Sequence, residues 1–145
     1  MNWGIIGYGN IARVFEQAIN SLSQNNLIVI KTNKNLKGNK IKVVREYLDF
    51  FLTKKLDAVY ISNLNNQHFD SAIKCIENEK KFIVEKPALY NLREFNIFKK
   101  KIINNPVLFY EGYMNLYYPY IDKILSYIKA NKIGKLKKIY CDLGF

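Results

Sequence analysis

Cysteine and histidine are scarce in this sequence, which contains two cysteines and one histidine in 145 residues. Cys75 and Cys141 stand far apart and lack the close spacing that cysteine ligands of a metal ion show. We therefore expect no metal site. Both cysteines are expected to be free thiols, which is typical of a protein in the reducing cytoplasm.

Long hydrophobic runs are also missing, since no apolar stretch approaches the roughly 18 residues that span a membrane. The N-terminus has neither the basic stretch nor the cleavage site of a secretion signal. Hydrophobic residues nevertheless make up 49% of the sequence, which is typical of a folded globular protein and not of a disordered one. The length is enough for one domain with a substantial core. We expect a cytoplasmic protein that does not associate with membranes.

Acidic residues are few. The sequence contains 12 aspartates and glutamates and 23 lysines and arginines, which gives a net charge of +11. Basic surfaces attract the phosphate backbone of nucleic acids, so nucleic-acid binding is one hypothesis. However, 20 of the basic residues are lysines, and asparagine and isoleucine are also abundant. A genome of low GC content favours all three residue types. The lysines are also scattered among the ends of the predicted elements, so we expect no nucleic-acid partner.

Short apolar runs alternate along the chain with segments whose apolar residues recur at helical spacing. The predicted strands cover residues 3–6, 27–30, 41–44, 58–61, 82–84, 107–110 and 136–145. The predicted helices begin near residues 11, 47, 69, 92 and 121, and residues 33–40 are predicted to form a polar loop. Alternating strands and helices form right-handed βαβ units, and continuous apolar strands are typical of parallel sheets covered on both faces. The sequence therefore predicts an α/β fold with a doubly wound parallel sheet.

The segment Gly7-Tyr8-Gly9-Asn10-Ile11-Ala12 has the spacing G-x-G-x-x-A and joins the first predicted strand to the first helix. Gly7 permits a tight turn, Gly9 lets a pyrophosphate approach the backbone, and Ala12 lets the helix pack closely on the strand. The free N–H groups at the start of the helix favour phosphate. This context predicts a dinucleotide-binding turn in a Rossmann-like domain, and the alternative is an incidental glycine-rich turn. The residues assigned to cofactor binding here are Gly7, Tyr8, Gly9, Asn10 and Ile11.

The end of the second predicted strand is where a dinucleotide-binding domain reads the adenosine ribose. An acidic residue there binds the 2′-hydroxyl of NAD. Residues 31–35 read KTNKN and contain no acid. Thr32, Asn33 and Lys34 can contact a 2′-phosphate, which favours NADP over NAD. The alternative is a solvated polar loop in a lysine-rich protein.

Three later stretches, DAVYISNLNNQHFDSAIKCIENEKKFIVEKPAL at 57–89, EGYMNLYYP at 111–119 and IGKLKKIYCDLGF at 133–145, add a more specific pattern. The first stretch contains, in order, a predicted strand, a turn ending in histidine, a helix, a further strand and the sequence Glu-Lys-Pro. With these stretches the chain resembles the Gfo/Idh/MocA family of NAD(P)-dependent oxidoreductases, which includes sugar, inositol and dihydrodiol dehydrogenases. The resemblance implies hydride transfer between nicotinamide and a hydroxyl carbon of a sugar or nucleotide-linked sugar.

The resemblance also implies roles for the Glu-Lys-Pro turn. Lys86 would be the catalytic residue near the reacting carbon, where an ammonium group can stabilise a developing alkoxide or relay a proton. Glu85 and Lys86 would both contact the cofactor, Glu85 through the nicotinamide ribose. Read without the resemblance, Lys86 is one more surface lysine and Glu85 is its ion-pair neighbour.

The turn before the third predicted helix departs from the family pattern of Thr-Pro-Asn-x-x-His. Asn63 stands where the family has threonine, and Leu64 where it has proline. The resemblance still assigns Asn63, Leu64, Asn65 and His68 to the cofactor-facing loop. His68 is expected to cap or pack the following helix, and we assign it no proton transfer.

The resemblance divides the chain into a Rossmann-like domain at residues 1–118 and a second segment at residues 119–145. That second segment would be a linker helix and the first strand of the family's larger substrate domain. The chain alone is therefore expected to be an incomplete enzyme. The alternatives are a non-catalytic dinucleotide-binding module and one half of a split enzyme. The partner would be a second copy of this chain, in a homo-oligomer, or a chain that carries the C-terminal half.

Overall fold

The computed structural model describes residues 1–36 and 40–142 of the chain. The strands are β1 (Asn2–Ile6), β2 (Asn26–Lys31), β3 (Lys42–Val44), β4 (Ala58–Ile61), β5 (Lys81–Val84) and β6 (Phe109–Glu111). The helices are α1 (Asn10–Asn20), α2 (Tyr47–Phe51), α3 (His68–Glu77), α4 (Leu92–Asn104) and α5 (Pro119–Lys129), with short 3₁₀ turns at Asn65–Gln67 and Met114–Tyr117. The first six predicted strands and all five predicted helices are confirmed to within about two residues at their starts. Part of the predicted loop at 33–40 lies outside the described residues.

All strand pairs in the sheet are parallel, and the strand order is β3-β2-β1-β4-β5-β6. This is the order of a doubly wound Rossmann sheet, so the predicted fold class is confirmed. The chain runs outward from β1 to β3 and then returns to the other side of β1 at β4. A crevice therefore opens between β1 and β4 at the carboxyl ends of the strands, which is where such sheets bind ligands.

The central strands β1, β2 and β4 bury side chains on both faces of the sheet, since neighbouring residues of a strand point in opposite directions. Ile6 and Val59 face one cluster, which α2, α3 and α4 cover with Phe50, Cys75 and Phe98 among others. Ile5 and Tyr60 face the opposite cluster, which α1 covers with Ala12 and Ile19. Both clusters lie directly below the carboxyl edge of the sheet and fix the positions of the loops that follow β1 and β4.

The segment Tyr113–Phe145 separates from Met1–Gly112 as a compact unit of its own. This boundary lies six residues before the predicted one at residue 118. The unit contains the second 3₁₀ turn and α5. The predicted strand at 136–145 is wrong in its described part, because residues 136–142 form neither helix nor strand. A β-prone sequence forms a strand only where another strand accepts its hydrogen bonds. Residues 143–145 lie outside the described residues.

The two cysteines are free, as the sequence predicted, and the structure places Cys75 in the interior and Cys141 at the surface. Burial raises the pKa of the Cys75 thiol well above its ordinary value, so this residue is a core side chain and not a nucleophile. Among the described residues, no group of histidine, cysteine, aspartate or glutamate side chains is arranged to hold a metal ion. Over the same residues, no helix has both the length and the apolar character that crossing a membrane requires.

Candidate functional site

A cleft of about 500 Å³ opens at the carboxyl ends of β1, β2 and β4. This size is within the usual range of small-molecule and cofactor sites. The residues that line it are Ile6, Gly7, Tyr8, Gly9, Lys31, Thr32, Asn33, Lys34, Ser62, Asn63, Leu64 and Gln67. Eight of these twelve are predicted site residues, which the fold brings together from three separate loops. The other predicted site residues, which do not line the cleft, are Asn10, Ile11, Asn65, His68, Glu85 and Lys86.

Four residues of the lining were not predicted, namely Ile6, Lys31, Ser62 and Gln67. The first two end β1 and β2, and Ser62 directly follows β4. The carboxyl edge of a parallel sheet is the usual ligand side, so this position in the predicted strands is the signal that would have found them. Gln67 ends a 3₁₀ turn, and nothing in the sequence indicates that turn.

Gly7 closes the turn after β1 and has a left-handed backbone conformation, with φ of +85°. Its N–H donates to the carbonyl of Lys31 at 2.9 Å, and its carbonyl accepts from the hydroxyl of Ser62 at 3.1 Å. A Cβ atom added here would lie closer than 3.0 Å to the backbone of Asn63. Gly7 is therefore the point where the loop after β4 touches the turn after β1.

Gly9 immediately precedes α1 and differs from Gly7 in both conformation and surroundings. Its φ of −100° is available to any residue, so the backbone alone does not require glycine here. A Cβ atom added at Gly9 would meet no heavy atom within 4 Å among the described residues. This open space lies at the start of α1, where the first N–H groups of the helix have no partner within the helix. Asn10 and Ile11, the first two residues of α1, are both exposed there.

Lys34 places its ammonium group on the side of the cleft that Tyr8 lines. The ammonium group of Lys34 donates to the backbone carbonyl of Tyr8 at 2.9 Å, and the guanidinium of Arg13 lies 5.9 Å from the centre of the Tyr8 ring. The Tyr8 hydroxyl donates to Glu16. Burial, together with Glu16, raises the pKa of Tyr8 to about 12, so its hydroxyl stays protonated at neutral pH. These contacts hold the turn between β1 and α1 beside a positive charge.

Thr32 shapes the turn after β2. Its hydroxyl accepts from the N–H of Lys34 at 3.2 Å, and its own N–H donates to the carbonyl of Val44 at 3.0 Å. The first bond folds residues 32–34 into a compact turn, which directs Lys34 toward the loop after β1. No aspartate or glutamate lines the cleft in the part of the chain that the structure describes.

Lys31 brings a second ammonium group to the cleft. Its Nζ lies 4.1 Å from the centre of the Tyr47 ring, and the Nζ of Lys74 lies 5.0 Å from the same ring. Burial lowers the pKa of Lys31, Lys74 lowers it further, and Glu46 acts in the opposite direction. The contact with the aromatic face compensates part of the cost of removing this charge from water.

Asn63 contributes an unused hydrogen-bond acceptor to the lining. Its side-chain N–H₂ donates to the hydroxyl of Ser71 at 2.9 Å, and that hydroxyl lies 2.8 Å from the hydroxyl of Tyr47. These contacts fix the amide, and its Oδ1 is buried with no hydrogen-bond partner among the described residues. Since a buried acceptor without a partner costs free energy, a donor from a bound molecule fits this position.

His68 connects two loops from inside the protein and is only 1% exposed. Its Nδ1 lies 2.8 Å from the carbonyl of Pro87, and its Nε2 lies 3.2 Å from the carbonyl of Asn63. A neutral imidazole has one N–H and donates to only one of these carbonyls at a time. His68 is the first residue of α3, and its ring contacts lie outside that helix. It acts on the cleft by holding the backbone of Asn63.

We expect His68→Leu to lower the free energy of unfolding by about 2 kcal/mol, because a buried hydrogen bond is lost and a carbonyl is left without its donor. His68→Gln keeps one N–H₂ donor and is expected to lose about half as much. Urea unfolding of the three proteins measures both values. Equal stability of His68→Leu and the unmodified chain would contradict this role for the ring.

Glu85 and Lys86 follow β5 on the other side of the crevice between β1 and β4. The N–H of Glu85 donates to the carbonyl of Ile61 at 2.9 Å, and its Oε1 accepts from the hydroxyl of Tyr60 at 2.6 Å. Lys86 is exposed, and its peptide bond to Pro87 is cis. Asn65 is also exposed, in the loop after β4. The carboxyl edge of the sheet thus carries the glycine turn over β1 and β2 and the Glu85-Lys86 turn over β5.

Comparison with protein families gives a match over residues 1–113 to the model of an oxidoreductase family with an NAD-binding Rossmann fold, Gfo/Idh/MocA. Trans-1,2-dihydrobenzene-1,2-diol dehydrogenase of Xenopus tropicalis is 22% identical over an alignment of 151 positions, gaps included, which covers 98% of this chain and 46% of that protein. The scyllo-inositol 2-dehydrogenase (NAD⁺) of Bacillus subtilis is 34% identical over 80 residues, which cover 55% of this chain and 23% of that protein.

Among solved structures, scyllo-inositol dehydrogenase from Lactobacillus casei with bound NAD(H) and scyllo-inositol matches with a TM-score of 0.84 at 17% identity. The match covers 92% of this chain and 42% of that one. Myo-inositol 2-dehydrogenase from Lactobacillus plantarum matches with a TM-score of 0.84 at 20% identity, over 93% of this chain and 42% of that one. The chain therefore spans less than half the length of these proteins, and the structural likeness shows the fold.

Proposed function

The chain belongs to the Gfo/Idh/MocA oxidoreductase family, whose NAD-binding Rossmann fold its residues 1–113 match, and on this basis we propose that its cleft binds a nicotinamide dinucleotide. One observation carries the proposal. A Cβ atom added at Gly9 would point into open space at the start of α1. It would meet a bound ligand there, but no heavy atom of the described residues within 4 Å. A pyrophosphate that approaches the backbone needs this space.

The chemistry of the lining supports the same ligand. The partial positive charge of the α1 N-terminus and the amides of Asn10 and Ile11 suit a pyrophosphate that lies along Gly7-Tyr8-Gly9. Lys31 and Lys34 add amino groups that can carry a positive charge, and no carboxylate of the described residues lines the cleft to repel the phosphates. The free Oδ1 of Asn63 offers an acceptor to a ribose hydroxyl or a base N–H₂ group.

The finer proposal is that NADP(H) binds more tightly than NAD(H). The turn that reads the adenosine ribose contains Thr32, Asn33 and Lys34 and no acid that would accept a 2′-hydroxyl. The Lys34 ammonium group is held beside the carbonyl of Tyr8, within the cleft. An ammonium group at this position favours a 2′-phosphate over a 2′-hydroxyl by a charge-assisted hydrogen bond.

We expect Lys34→Ala to weaken NADPH binding by about tenfold, because a hydrogen bond to a charged group contributes about 1.5 kcal/mol or more. NADH binding is expected to change less than threefold, since NADH lacks the 2′-phosphate. Fluorescence titrations with both cofactors measure the two dissociation constants. Lys54→Ala is the matched control, because Lys54 is an exposed lysine outside the cleft. An equal loss for both cofactors would instead assign Lys34 to holding the Tyr8 turn.

The proposed reaction is hydride transfer between the nicotinamide ring and a hydroxyl carbon of a sugar-like substrate. When bound, the nicotinamide supplies or accepts the hydride. The exposed amine of Lys86 lies on the turn after β5, where it can donate a hydrogen bond or proton to a substrate oxygen. The half-buried Glu85 carboxylate on the same turn can accept from ribose hydroxyls. The substrate class is proposed from the inositol and dihydrodiol dehydrogenases that the chain resembles.

Binding the cofactor and completing the reaction are separate proposals. We propose that residues 1–118 form the cofactor domain, whereas the chain spans only 46% of the dihydrodiol dehydrogenase of Xenopus tropicalis. A second candidate is a dinucleotide-binding module or one half of a split enzyme, because binding a dinucleotide needs only the cleft and its lining. Assays of NADP⁺ reduction with scyllo-inositol and a trans-dihydrodiol, for the chain alone and together with a C-terminal domain of the family, distinguish these candidates.

A further inference from the structure

Tyr60 is a buried tyrosine in the middle of the sheet, and the proposed reaction does not use it. Its side chain is 4% exposed and projects from β4 toward α1. There its ring stacks on the ring of Phe15, with 4.0 Å between the centroids and an angle of 15° between the planes. Phe15 in turn forms an edge-to-face pair with Trp3, with 5.2 Å between the ring centroids. Tyr60 is thus rigidly packed against the helix whose N-terminus borders the cleft.

The hydroxyl of Tyr60 reaches out of this aromatic cluster to a charged partner. It donates to Oε1 of Glu85 at 2.6 Å, across the pair of adjacent strands β4 and β5. Glu85 is also held through its backbone, whose N–H donates to the carbonyl of Ile61. Gly112 leaves room for the carboxylate, because a Cβ atom there would lie 3.1 Å from Oε1 of Glu85. The hydrogen bond from Tyr60 therefore orients the Glu85 carboxylate from the side of the sheet that α1 covers.

A dinucleotide in a doubly wound sheet lies across the crevice, with one mononucleotide half over each side. The glycine turn and the loop after β2 occupy the side of β1 and β2, so the other half lies over β4 and β5. Glu85 directly follows the carboxyl end of β5 and remains partly exposed. An ionised carboxylate accepts several hydrogen bonds, so the bond from Tyr60 leaves acceptor capacity for the hydroxyls of a second ribose.

We propose that Tyr60 is a positioning residue, which ties the Glu85 carboxylate to the α1 side of the sheet so that Glu85 meets the ribose of the nicotinamide half. This inference rests on the proposed function of the cleft. Burial and the Glu85 carboxylate both raise the pKa of Tyr60 far above its ordinary value. The phenol therefore remains a donor throughout the pH range in which the protein is used.

The test compares Tyr60→Phe with the unmodified chain for two probes, NADPH and ADP. Tyr60→Phe keeps the stacked ring and removes only the hydroxyl. We expect the dissociation constant for NADPH to rise about five- to tenfold, because Glu85 loses its orientation. ADP carries the adenosine and pyrophosphate groups and no second ribose, so its dissociation constant is expected to stay within about twofold.

Two further variants separate positioning from general loss of structure. Tyr110→Phe is the matched control, since Tyr110 lies on the same face of the sheet, in register with Ile83 and through it with Tyr60, and is exposed. It is expected to bind both probes unchanged. Glu85→Gln is expected to weaken NADPH, and adding Tyr60→Phe to it is expected to bring little further loss, since both changes remove one interaction.

The outcomes distinguish this inference from the proposal it rests on. A Tyr60→Phe protein that binds NADPH as tightly as the unmodified chain would overturn the inference and leave cofactor binding intact. Equal weakening of NADPH and ADP would overturn it too, because a merely structural role affects both halves of the cleft. An unmodified chain that binds neither probe would overturn cofactor binding itself, and the inference with it.

Discussion

Replacing Gly9 with valine is expected to abolish dinucleotide binding and to leave the fold intact. The branched side chain would occupy the open space at the start of α1, which the described residues leave empty. It would keep a pyrophosphate from the first N–H groups of the helix. Losing two charge-assisted hydrogen bonds of about 1.5 kcal/mol each predicts at least ~100-fold weaker binding.

The stability of Gly9→Val is expected to remain within about 1 kcal/mol of the unmodified chain. The backbone of Gly9 is extended, which suits a β-branched residue, and only the modest preference for glycine before a helix is lost. Thermal unfolding followed by NADPH titration measures both properties on the same sample. Gly9→Ala, with a smaller side chain, is expected to give an intermediate loss. A folded Gly9→Val protein that binds NADPH normally would contradict the phosphate-binding role of this turn.

Replacing Gly7 with alanine is expected to have the opposite signature, a large loss of stability. The left-handed φ of +85° is costly for any residue with a Cβ, and that Cβ would also meet the backbone of Asn63 at less than 3.0 Å. The two nearest atoms are the backbone N and Cα of Asn63, which do not belong to a flexible side chain that can move aside. We expect the free energy of unfolding to fall by about 3–5 kcal/mol, a large change for a single methyl group.

Urea unfolding of Gly7→Ala, with Gly9→Ala as the control, measures this difference directly. The two variants add the same methyl group within three residues of each other, so a general intolerance of the turn would lower both stabilities alike. Gly7→Ala with the stability of the unmodified chain would show that the turn after β1 and the loop after β4 do not pack as the structure has them.

The order of strands and helices was predictable from the sequence because buried parallel strands are continuous apolar runs and the helices carry one apolar face. Trp3 to Ile6 and Ala58 to Ile61 are examples of such runs. The strand predicted at residues 136–145 was wrong in its described part, although its composition resembles these runs. Strand formation depends on partners elsewhere in the chain, and local composition does not contain that information.

Only part of the candidate site was predictable from the sequence. The spacing of Gly7 and Gly9 indicated the turn, but the motif does not reveal that Gly7 is required by packing and Gly9 leaves open space. The contacts of Tyr60 with Phe15 and Glu85 join residues that are 45 and 25 positions apart in sequence. Such contacts arise only when the strands are assembled, so no local pattern predicts them. For the same reason the sequence did not indicate the two carbonyls that His68 contacts.

A titration of the purified, folded chain with NADPH and with NADH, followed by nicotinamide fluorescence, tests whether the cleft beside Gly9 binds a dinucleotide. We expect saturable binding of both, with NADPH the tighter ligand, and loss of both in Gly9→Val. No saturable binding of either cofactor, by a chain that unfolds cooperatively, would contradict the claim that the cleft beside Gly9 is a dinucleotide site.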